Sequence, residues 1–294
     1  MPELPEIETI RRSVADLIAG AKITAVEVFQ TRQVATHDPA AFAAAVSGRR
    51  LVRFERRGKY LILGLDDGQR LVIHLRMTGQ LLVCRPEAPV ARHTHVVFHL
   101  EDGRQLRYRD VRRFGRIYLL GPEPFSQQAR APGCLRRLGP EPLDPEFTSA
   151  AFCERLRGRR GALKPLLLRQ DFIAGLGNIY ADEALHRARL HPLRPAHSLT
   201  PAECEALFGA IREVLTEAIV WGGTTIADFR DGYGRSGAFR QRLRVYGRQG
   251  EPCLTCGQTV VKIRVAGRSS HFCPRCQPLP GQRRPGQLRR REGN

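Results

Sequence analysis

Hydrophobic residues recur at helical spacing directly after the N-terminus. Ile7, Ile10 and Val14 lie three and four positions apart, which predicts an amphipathic helix over residues 5–19. A shorter helix is expected near residues 39–47. The apolar face of the first helix needs a partner surface on which to pack.

Short apolar runs separated by turn signals fill residues 22–120. The dipeptides Asp67-Gly68 and Asp102-Gly103 are typical of tight hairpin turns. The pattern predicts an antiparallel β-sandwich with the N-terminal helix packed against it. The clearest strand patterns cover residues 23–29, 60–65, 71–75, 95–100 and 116–120.

The spacing becomes helical again after a stretch rich in proline and glycine that ends near residue 145. Thr200 is placed to cap the longest of the later helices, and a small cysteine-rich segment follows at about 246–277. We therefore expect an α+β chain of two domains, in which an antiparallel β-sandwich with flanking helices precedes a helical domain and a β-hairpin. The later helices are predicted over residues 147–157, 161–168, 178–189 and 201–221.

The charge balance changes the picture from a generic globular protein to one with a polyanionic partner. The 294 residues carry 48 Lys and Arg against 29 Asp and Glu, a net charge of +19. A GC-rich coding bias would explain arginine in place of lysine, but not this excess. Nucleic acid is the expected partner, because arginine forms bidentate contacts with phosphate.

The sequence shows neither a membrane span nor a secretory signal that would keep the protein away from nucleic acid. No stretch of about 18 apolar residues is present, so a membrane span is not expected. The N-terminus lacks the apolar core of a secretory signal, which predicts a cytoplasmic protein.

Four of the eight cysteines form the strongest local motif. Cys253 and Cys256 are separated by two residues, as are Cys273 and Cys276, a spacing typical of one structural Zn²⁺ bound by four thiolates. Two disulfides are the alternative, disfavoured by the absence of a secretory signal. The other four are expected to be unreactive thiols: Cys84, Cys134, Cys153 and Cys204.

The first residues offer a nucleophile. Removal of Met1 would expose Pro2 as a secondary amine with Glu3 beside it. An α-amino group titrates near ~8, so a useful fraction is free base at neutral pH and can form a Schiff base. The alternative is structural, with Pro5 merely opening a helix.

Two weaker motifs point toward nucleic acid. A Gly-x-Gly turn before Asn178 would present backbone N–H groups to a phosphate at a helix N-terminus, although it is also compatible with an ordinary tight turn. Met77 and Phe114 lie beside arginines, as expected of side chains that enter a base stack and fill the space left by an extruded base. The alternative is that both are core residues at strand ends.

Taken in order, these motifs resemble those of bacterial formamidopyrimidine-DNA glycosylases, also called 8-oxoguanine DNA glycosylases. The resemblance runs from Pro2 to about Gln277, nearly the whole chain. It implies removal of oxidised purines from double-stranded DNA, strand cleavage by β,δ-elimination, a helix-two-turns-helix domain, and DNA held between the domains. The matching segments are 2–6, 57–60, 77–79, 112–115, 139–142, 177–181, 222–225, 245–248 and the cysteine motif.

The resemblance also implies residue roles. Pro2 would attack C1′ of the damaged nucleotide, and Glu3 would act as acid and base in opening the sugar. Lys59 would donate a proton and contact phosphate during β-elimination, and Arg268 would assist δ-elimination. The implied void-filling residues are Met77, Arg112 and Phe114. The implied backbone contacts are His93, Arg159 and Asn178.

Pattern and resemblance together predict five regions in a monomeric, nucleoid-associated enzyme with no inferred protein partner. The regions are a catalytic β-sandwich domain (2–125), a linker (126–145), a helix-two-turns-helix domain with a lesion-covering loop (146–237), a zinc finger (238–277) and a disordered arginine-rich tail (278–294).

Two other functions remain open at this point. Endonuclease VIII, a sister enzyme for oxidised pyrimidines, would begin Pro-Glu-Gly-Pro and lack the Met/Arg/Phe set; Leu4 here argues against it. A zinc protein that binds DNA without cutting it would need neither the Pro2-Glu3 pair nor Lys59.

Overall fold

The computed structural model describes residues 1–279, and within them the chain divides into two units. The first comprises residues 1–141, 173–175 and 215–241. The second comprises 142–172, 176–214 and the chain from 242 onward. The tail expected over 278–294 lies, from residue 280, outside the described residues.

The first unit contains the predicted antiparallel β-sandwich. Its two four-stranded sheets have the orders β1-β6-β7-β5 and β2-β3-β4-β8. The strands of the first sheet are β1 (Ile23–Val28), β5 (Gly79–Cys84), β6 (Thr94–Leu100) and β7 (Gln105–Asp110). Those of the second are β2 (Leu51–Arg57), β3 (Tyr60–Leu65), β4 (Arg70–His74) and β8 (Arg116–Leu120).

Two helices flank the sandwich as predicted. Helix α1 (Leu4–Ile18) buries one apolar stripe in the same hydrophobic cluster as the inward faces of the strands. Helix α2 (Pro39–Val46) begins with proline in its first turn, and Asp38 caps it by accepting two backbone N–H groups.

The second unit is built mainly from helices, as the pattern predicts. Three phenylalanines from separate segments form its aromatic centre: the rings of Phe147 and Phe152 lie 5.5 and 5.3 Å from that of Phe208. Its principal helices are α4 (Ser149–Leu156), α5 (Leu163–Leu167), α6 (Asn178–Arg187) and α7 (Pro201–Val220); a short α3 (Gly133–Arg136) precedes them in the first unit. Thr200 and Glu203 bond to each other's backbone at the start of α7, which confirms the expected cap.

The cysteine-rich segment forms the predicted hairpin. Strands β9 (Val261–Val265) and β10 (Arg268–Phe272) pair antiparallel. The two residues between them, Ala266 and Gly267, both have positive φ, the geometry of a tight two-residue turn.

One cysteine prediction is wrong. Cys153 on α4 and Cys204 on α7 form a disulfide rather than two separate thiols. They are 51 positions apart in sequence, and nothing in the local pattern marks two helices as neighbours, so sequence spacing did not indicate the pair. Cys84 and Cys134 are free.

Part of the segment expected as a linker is firmly attached to the first unit. The Glu141 carboxylate accepts hydrogen bonds from the Gly58 amide and the Arg57 guanidinium, at 2.5 and 2.8 Å. The Arg57 guanidinium also donates to the Gly139 carbonyl at 2.7 Å. The domain boundaries themselves stay a prediction.

Over residues 1–279, the helices are too short or too polar to cross a membrane.

Candidate functional site

The N-terminal residues are held in place by the interior of the first unit. Pro2 is buried and Glu3 is 3% exposed. The Leu4 amide donates to the Gly175 carbonyl at 3.0 Å. A Cβ at Gly175 would lie 2.7 Å from Leu4 Cβ, and Gly175 has φ +85°, so this close approach requires glycine.

Glu6 fixes the same segment from a second direction. It is 1% exposed, and one carboxylate oxygen accepts the Glu3 amide at 2.7 Å. The other accepts the Thr224 amide at 2.6 Å. Gly223, with φ +78°, leaves room for this contact, because a Cβ there would lie 2.8 Å from the carboxylate. Sequence reasoning missed Glu6; its position three residues after the helix cap was the available signal.

Lys59 lies on the turn between β2 and β3, and this turn reaches the same place. The side chain is 5% exposed. A Cβ at the preceding Gly58 would lie 3.5 Å from the Ala174 side chain and 3.6 Å from the Gly175 nitrogen. Residues 174–175 therefore contact both the N-terminal segment and the Lys59 turn, and bring Pro2, Glu3 and Lys59 into one region.

Lys59 and Arg76 place positive charge near the buried His74. Burial, with the nearby positive charges of Arg76 and Lys59, lowers the pKa of His74 to about 3. His74 is therefore neutral at neutral pH. Its Nδ1 accepts the Arg76 amide at 3.0 Å, and its ring packs edge-on against Tyr60 at 4.6 Å.

Met77, Arg112 and Phe114 come together on the surface of the first unit. Met77 is 45% and Phe114 46% exposed, so the interpretation of these two as core residues is wrong. The Arg112 guanidinium lies between them, 3.0 Å from Met77 Sδ and 4.8 Å from the centre of the Phe114 ring. Exposed apolar side chains interleaved with arginine are suited to inserting into a base stack.

The remaining predicted DNA contacts are distributed over both units. His93, directly before β6, is partly exposed with φ 70°. In the second unit, Arg159 is exposed, and Asn178 is the first residue of α6. Asn178 Oδ1 is buried and makes no hydrogen bond within the described residues.

Four cysteine sulfurs form a metal centre in the second unit. The ligand atoms of Cys253, Cys256, Cys273 and Cys276 lie within 4.8 Å of one another, and none of the four is in a disulfide. Two of the separations are 3.4 and 3.9 Å. Sulfurs at ~2.3 Å from a tetrahedral Zn²⁺ lie about 3.8 Å apart, so the set fits one structural zinc. The alternative of two disulfides is wrong.

Helix α6 fixes the finger hairpin that carries Arg268, an exposed residue next to the tight turn. The Asp182 carboxylate is 2.6 Å from the ammonium of the fully buried Lys164. It also accepts the His271 amide of β10 at 2.9 Å. Glu183 accepts three consecutive backbone amides, those of residues 244–246. Nothing in the sequence pattern marks Lys164, Asp182 or Glu183 as positioning residues.

Family models match most of the chain in three blocks. Residues 1–117 match the formamidopyrimidine-DNA glycosylase N-terminal domain, and 138–230 match the H2TH domain of the same enzymes. Residues 250–279 match the zinc finger found in FPG and IleRS.

Curated relatives cover nearly the full length. A formamidopyrimidine-DNA glycosylase of Symbiobacterium thermophilum is 54% identical over 95% of this chain and 90% of that protein. One of Thermomicrobium roseum is 49% identical over 95% of this chain and all of that protein.

Solved structures give the same result. The MutM (Fpg) protein of Thermus thermophilus is 44% identical with a TM-score of 0.84, covering 95% of this chain and 99% of that one. The Fpg of Lactococcus lactis, in complex with DNA containing an abasic site, is 39% identical with a TM-score of 0.86, covering 94% and 99%. The predicted fold class is confirmed.

Proposed function

The chain belongs to the formamidopyrimidine-DNA glycosylase family, and from that premise we propose how its residues divide the work. It is a DNA glycosylase with AP lyase activity that acts on DNA containing oxidised purines and uses a structural zinc. Its relatives are bacterial, and we infer that it works in the cytoplasm on nucleoid DNA.

Pro2 is the proposed nucleophile once Met1 is removed. Its lone pair attacks C1′ of the damaged nucleotide, the bond from C1′ to the base breaks, and the base leaves with the bonding electrons. Opening of the sugar then gives a Schiff base between Pro2 and C1′. The observation that supports this role is the fixed position of the N-terminal segment. The Gly175 carbonyl accepts the Leu4 amide, and the Glu6 carboxylate accepts the amides of Glu3 and Thr224.

Glu3 and Lys59 are the proposed proton carriers. Glu3 protonates the ring oxygen as the sugar opens, and its burial beside Pro2 suits a general acid. In β-elimination the C2′ proton passes to water, the C3′–O bond breaks and the 3′ phosphate leaves; Lys59 contacts that phosphate and supplies a proton to it. Both side chains lie in the region organised around residues 174–175.

The exposed set of Met77, Arg112 and Phe114 is proposed to fill the space left by the everted nucleotide. The damaged base is unreachable within a duplex, so it must leave the stack before Pro2 can act. His93, Arg159 and Asn178 are proposed to contact the backbone, and Arg268, on its rigid turn, to contact phosphate and assist δ-elimination.

Borohydride trapping on a duplex with one 8-oxoguanine opposite cytosine tests the central role. Reduction of the Schiff base should give a covalent protein–DNA adduct that Pro2→Gly loses or forms only weakly. Pro86→Gly, the same change on an exposed loop, should trap like the wild type.

Two companion measurements give the trapping result its meaning. Mass spectrometry of the purified protein should find Pro2 as the N-terminus. Adduct formation mainly on a dihydrouracil duplex would contradict the purine preference. An unaltered adduct in Pro2→Gly would remove Pro2 from the mechanism.

A further inference from the structure

Two loops of the first unit carry the exposed set of Met77, Arg112 and Phe114, and the sheet register places them side by side. Residues 75–78 connect β4 to β5, and residues 111–115 connect β7 to β8. At one end His74 pairs with Arg116, and at the other Gly79 pairs with Asp110. Both loops therefore cross from one sheet to the other at the same end of the sandwich.

Asp110 lies between these loops and hydrogen-bonds to both. Its side chain is fully buried. One carboxylate oxygen accepts the Thr78 hydroxyl of the first loop at 2.5 Å and the Arg112 amide of the second at 3.2 Å. The other accepts the Gly115 amide at 2.8 Å and the Tyr108 hydroxyl at 3.2 Å.

A second bond links the loops directly. The Arg112 amide also lies 3.1 Å from Thr78 Oγ1, so it is shared between the threonine and the carboxylate. The Asp110 main chain completes the arrangement: its carbonyl accepts from His95 Nε2 at 2.8 Å, and its amide donates to the His93 carbonyl at 3.0 Å.

Each loop contains one non-glycine residue with an unfavourable, positive φ angle. Arg76 has φ 55° and Arg113 has φ 57°, left-handed conformations that cost roughly 1–2 kcal/mol for a residue with a Cβ. Such conformations persist where the surrounding structure over-determines them. The Arg113 amide donates to the Asp110 carbonyl, and the neighbouring Arg112 and Gly115 donate to its carboxylate.

We propose that Asp110 is a positioning residue that sets the spacing between Met77 on one loop and Arg112 and Phe114 on the other, and thereby the enzyme's discrimination of the base opposite the lesion. Thr78 is its partner across the two loops. This inference rests on the proposed role of the exposed set in filling the vacated space.

The chemistry of the carboxylate makes Asp110→Asn an informative change. The amide keeps the shape of the side chain but turns one of its two acceptor sites into a donor. Depending on how the amide is oriented, its NH2 then faces either the Gly115 N–H or the Arg112 N–H, and neither backbone donor can accept from it. In either orientation the loop of residues 111–115 loses one backbone hydrogen bond to residue 110.

The experiment measures single-turnover excision of 8-oxoguanine opposite cytosine and opposite adenine, for Asp110→Asn and for Thr78→Val. Trapping on a single-stranded abasic oligonucleotide runs in parallel, because this substrate has no opposite base and no stack to fill. We expect excision opposite cytosine, and its preference over adenine, to fall at least about tenfold, with single-stranded trapping within about twofold of wild type.

Thr24→Val is the matched control. Thr24 lies on β1, at the opposite edge of the same sheet from β5, and donates its hydroxyl to the His99 carbonyl at 3.2 Å. Thr24→Val should keep the wild-type preference for excision opposite cytosine over adenine. If Asp110→Asn fails to fold, Thr78→Val still tests the proposal.

Two outcomes would overturn the proposal. If both variants keep the wild-type preference for the opposite base, Asp110 does not control how Met77, Arg112 and Phe114 discriminate that base. Equal loss of excision and single-stranded trapping would reduce it to a structural residue. Failure of the wild type to trap any abasic DNA would instead refute the proposed function, so the two failures are distinguishable.

Discussion

Gly175 accepts the Leu4 amide at a backbone separation that leaves no space for a side chain. Replacement by alanine adds a Cβ 2.7 Å from Leu4 Cβ, at a φ of +85°. The N-terminal segment must then move, and a displacement of ~1 Å at a reacting group can cost about a hundredfold in rate. We expect Gly175→Ala to slow borohydride trapping on abasic-site DNA by that order.

Gly20→Ala is the control that separates displacement of the N-terminal segment from the strain of placing an alanine at a positive φ. Gly20 has φ +80° and nothing within 4 Å of the added Cβ, so its variant should lose only ~1–2 kcal/mol of stability. Trapping rates and urea unfolding of the two proteins decide the matter. Equal trapping by both variants would mean that the Leu4–Gly175 contact does not position the nucleophile.

The roles of the buried carboxylates Glu6 and Asp110 could not be predicted from the sequence. Pro2, with Glu3 beside it, could be named because a terminal secondary amine has recognisable chemistry, whereas Lys59 was implied only by the resemblance to the family. Glu6 and Asp110 position backbone by accepting N–H groups, and the Thr224 amide that Glu6 accepts is 218 positions away in sequence. No local pattern marks an acid for such a task.

At the level of elements, amphipathic spacing predicted α1, and the cysteine spacing predicted the metal-bound hairpin, because both signals are local. Strand β2 was not among the clearest patterns. It lies at the edge of its sheet and exposes Arg53 and Glu55 to solvent, so its apolar alternation is weak.

The contribution of the disulfide between α4 and α7 to stability can be tested directly. Its closure spans 51 residues, and such a crosslink stabilises by up to about 4 kcal/mol through the unfolded chain. We expect reduction by tris(2-carboxyethyl)phosphine, or the double change Cys153→Ser with Cys204→Ser, to lower the unfolding midpoint. A phosphine reductant is suitable because it leaves the zinc thiolates in place.

Cys134→Ser serves as control, since Cys134 is an exposed free thiol. It should behave like the wild type with and without reductant. A wild-type midpoint that is insensitive to reductant, with every cysteine reacting as a thiol after denaturation, would exclude the bond.

For the molecule as a whole, the net charge of +19 favours nonspecific binding to DNA. Phosphate contacts drive nonspecific binding, and each contributes a slope of roughly −0.9 to the dependence of log K on log salt for duplex DNA. Five arginines of the expected tail lie after residue 279. Truncation there should reduce the slope by roughly 0.9 for each phosphate that the shortened protein no longer binds.

A full-length variant with those five arginines changed to glutamine distinguishes charge from length. It should match the truncated protein in a salt titration of binding to undamaged duplex. A slope equal to that of the wild type in either variant would contradict a role for the tail in nonspecific affinity.

The attachment of the N-terminus to residues 174–175 and 223–224 also has a consequence for the order of events during synthesis. A chain leaves the ribosome N-terminus first, so Pro2 is available long before Thr224 has been made. The Glu6–Thr224 bond cannot form until about three quarters of the protein exists. A nascent or prematurely terminated chain thus carries the Pro2 amine without the contacts that fix its position. The enzyme therefore acquires its reactivity toward sugars only in the last part of translation.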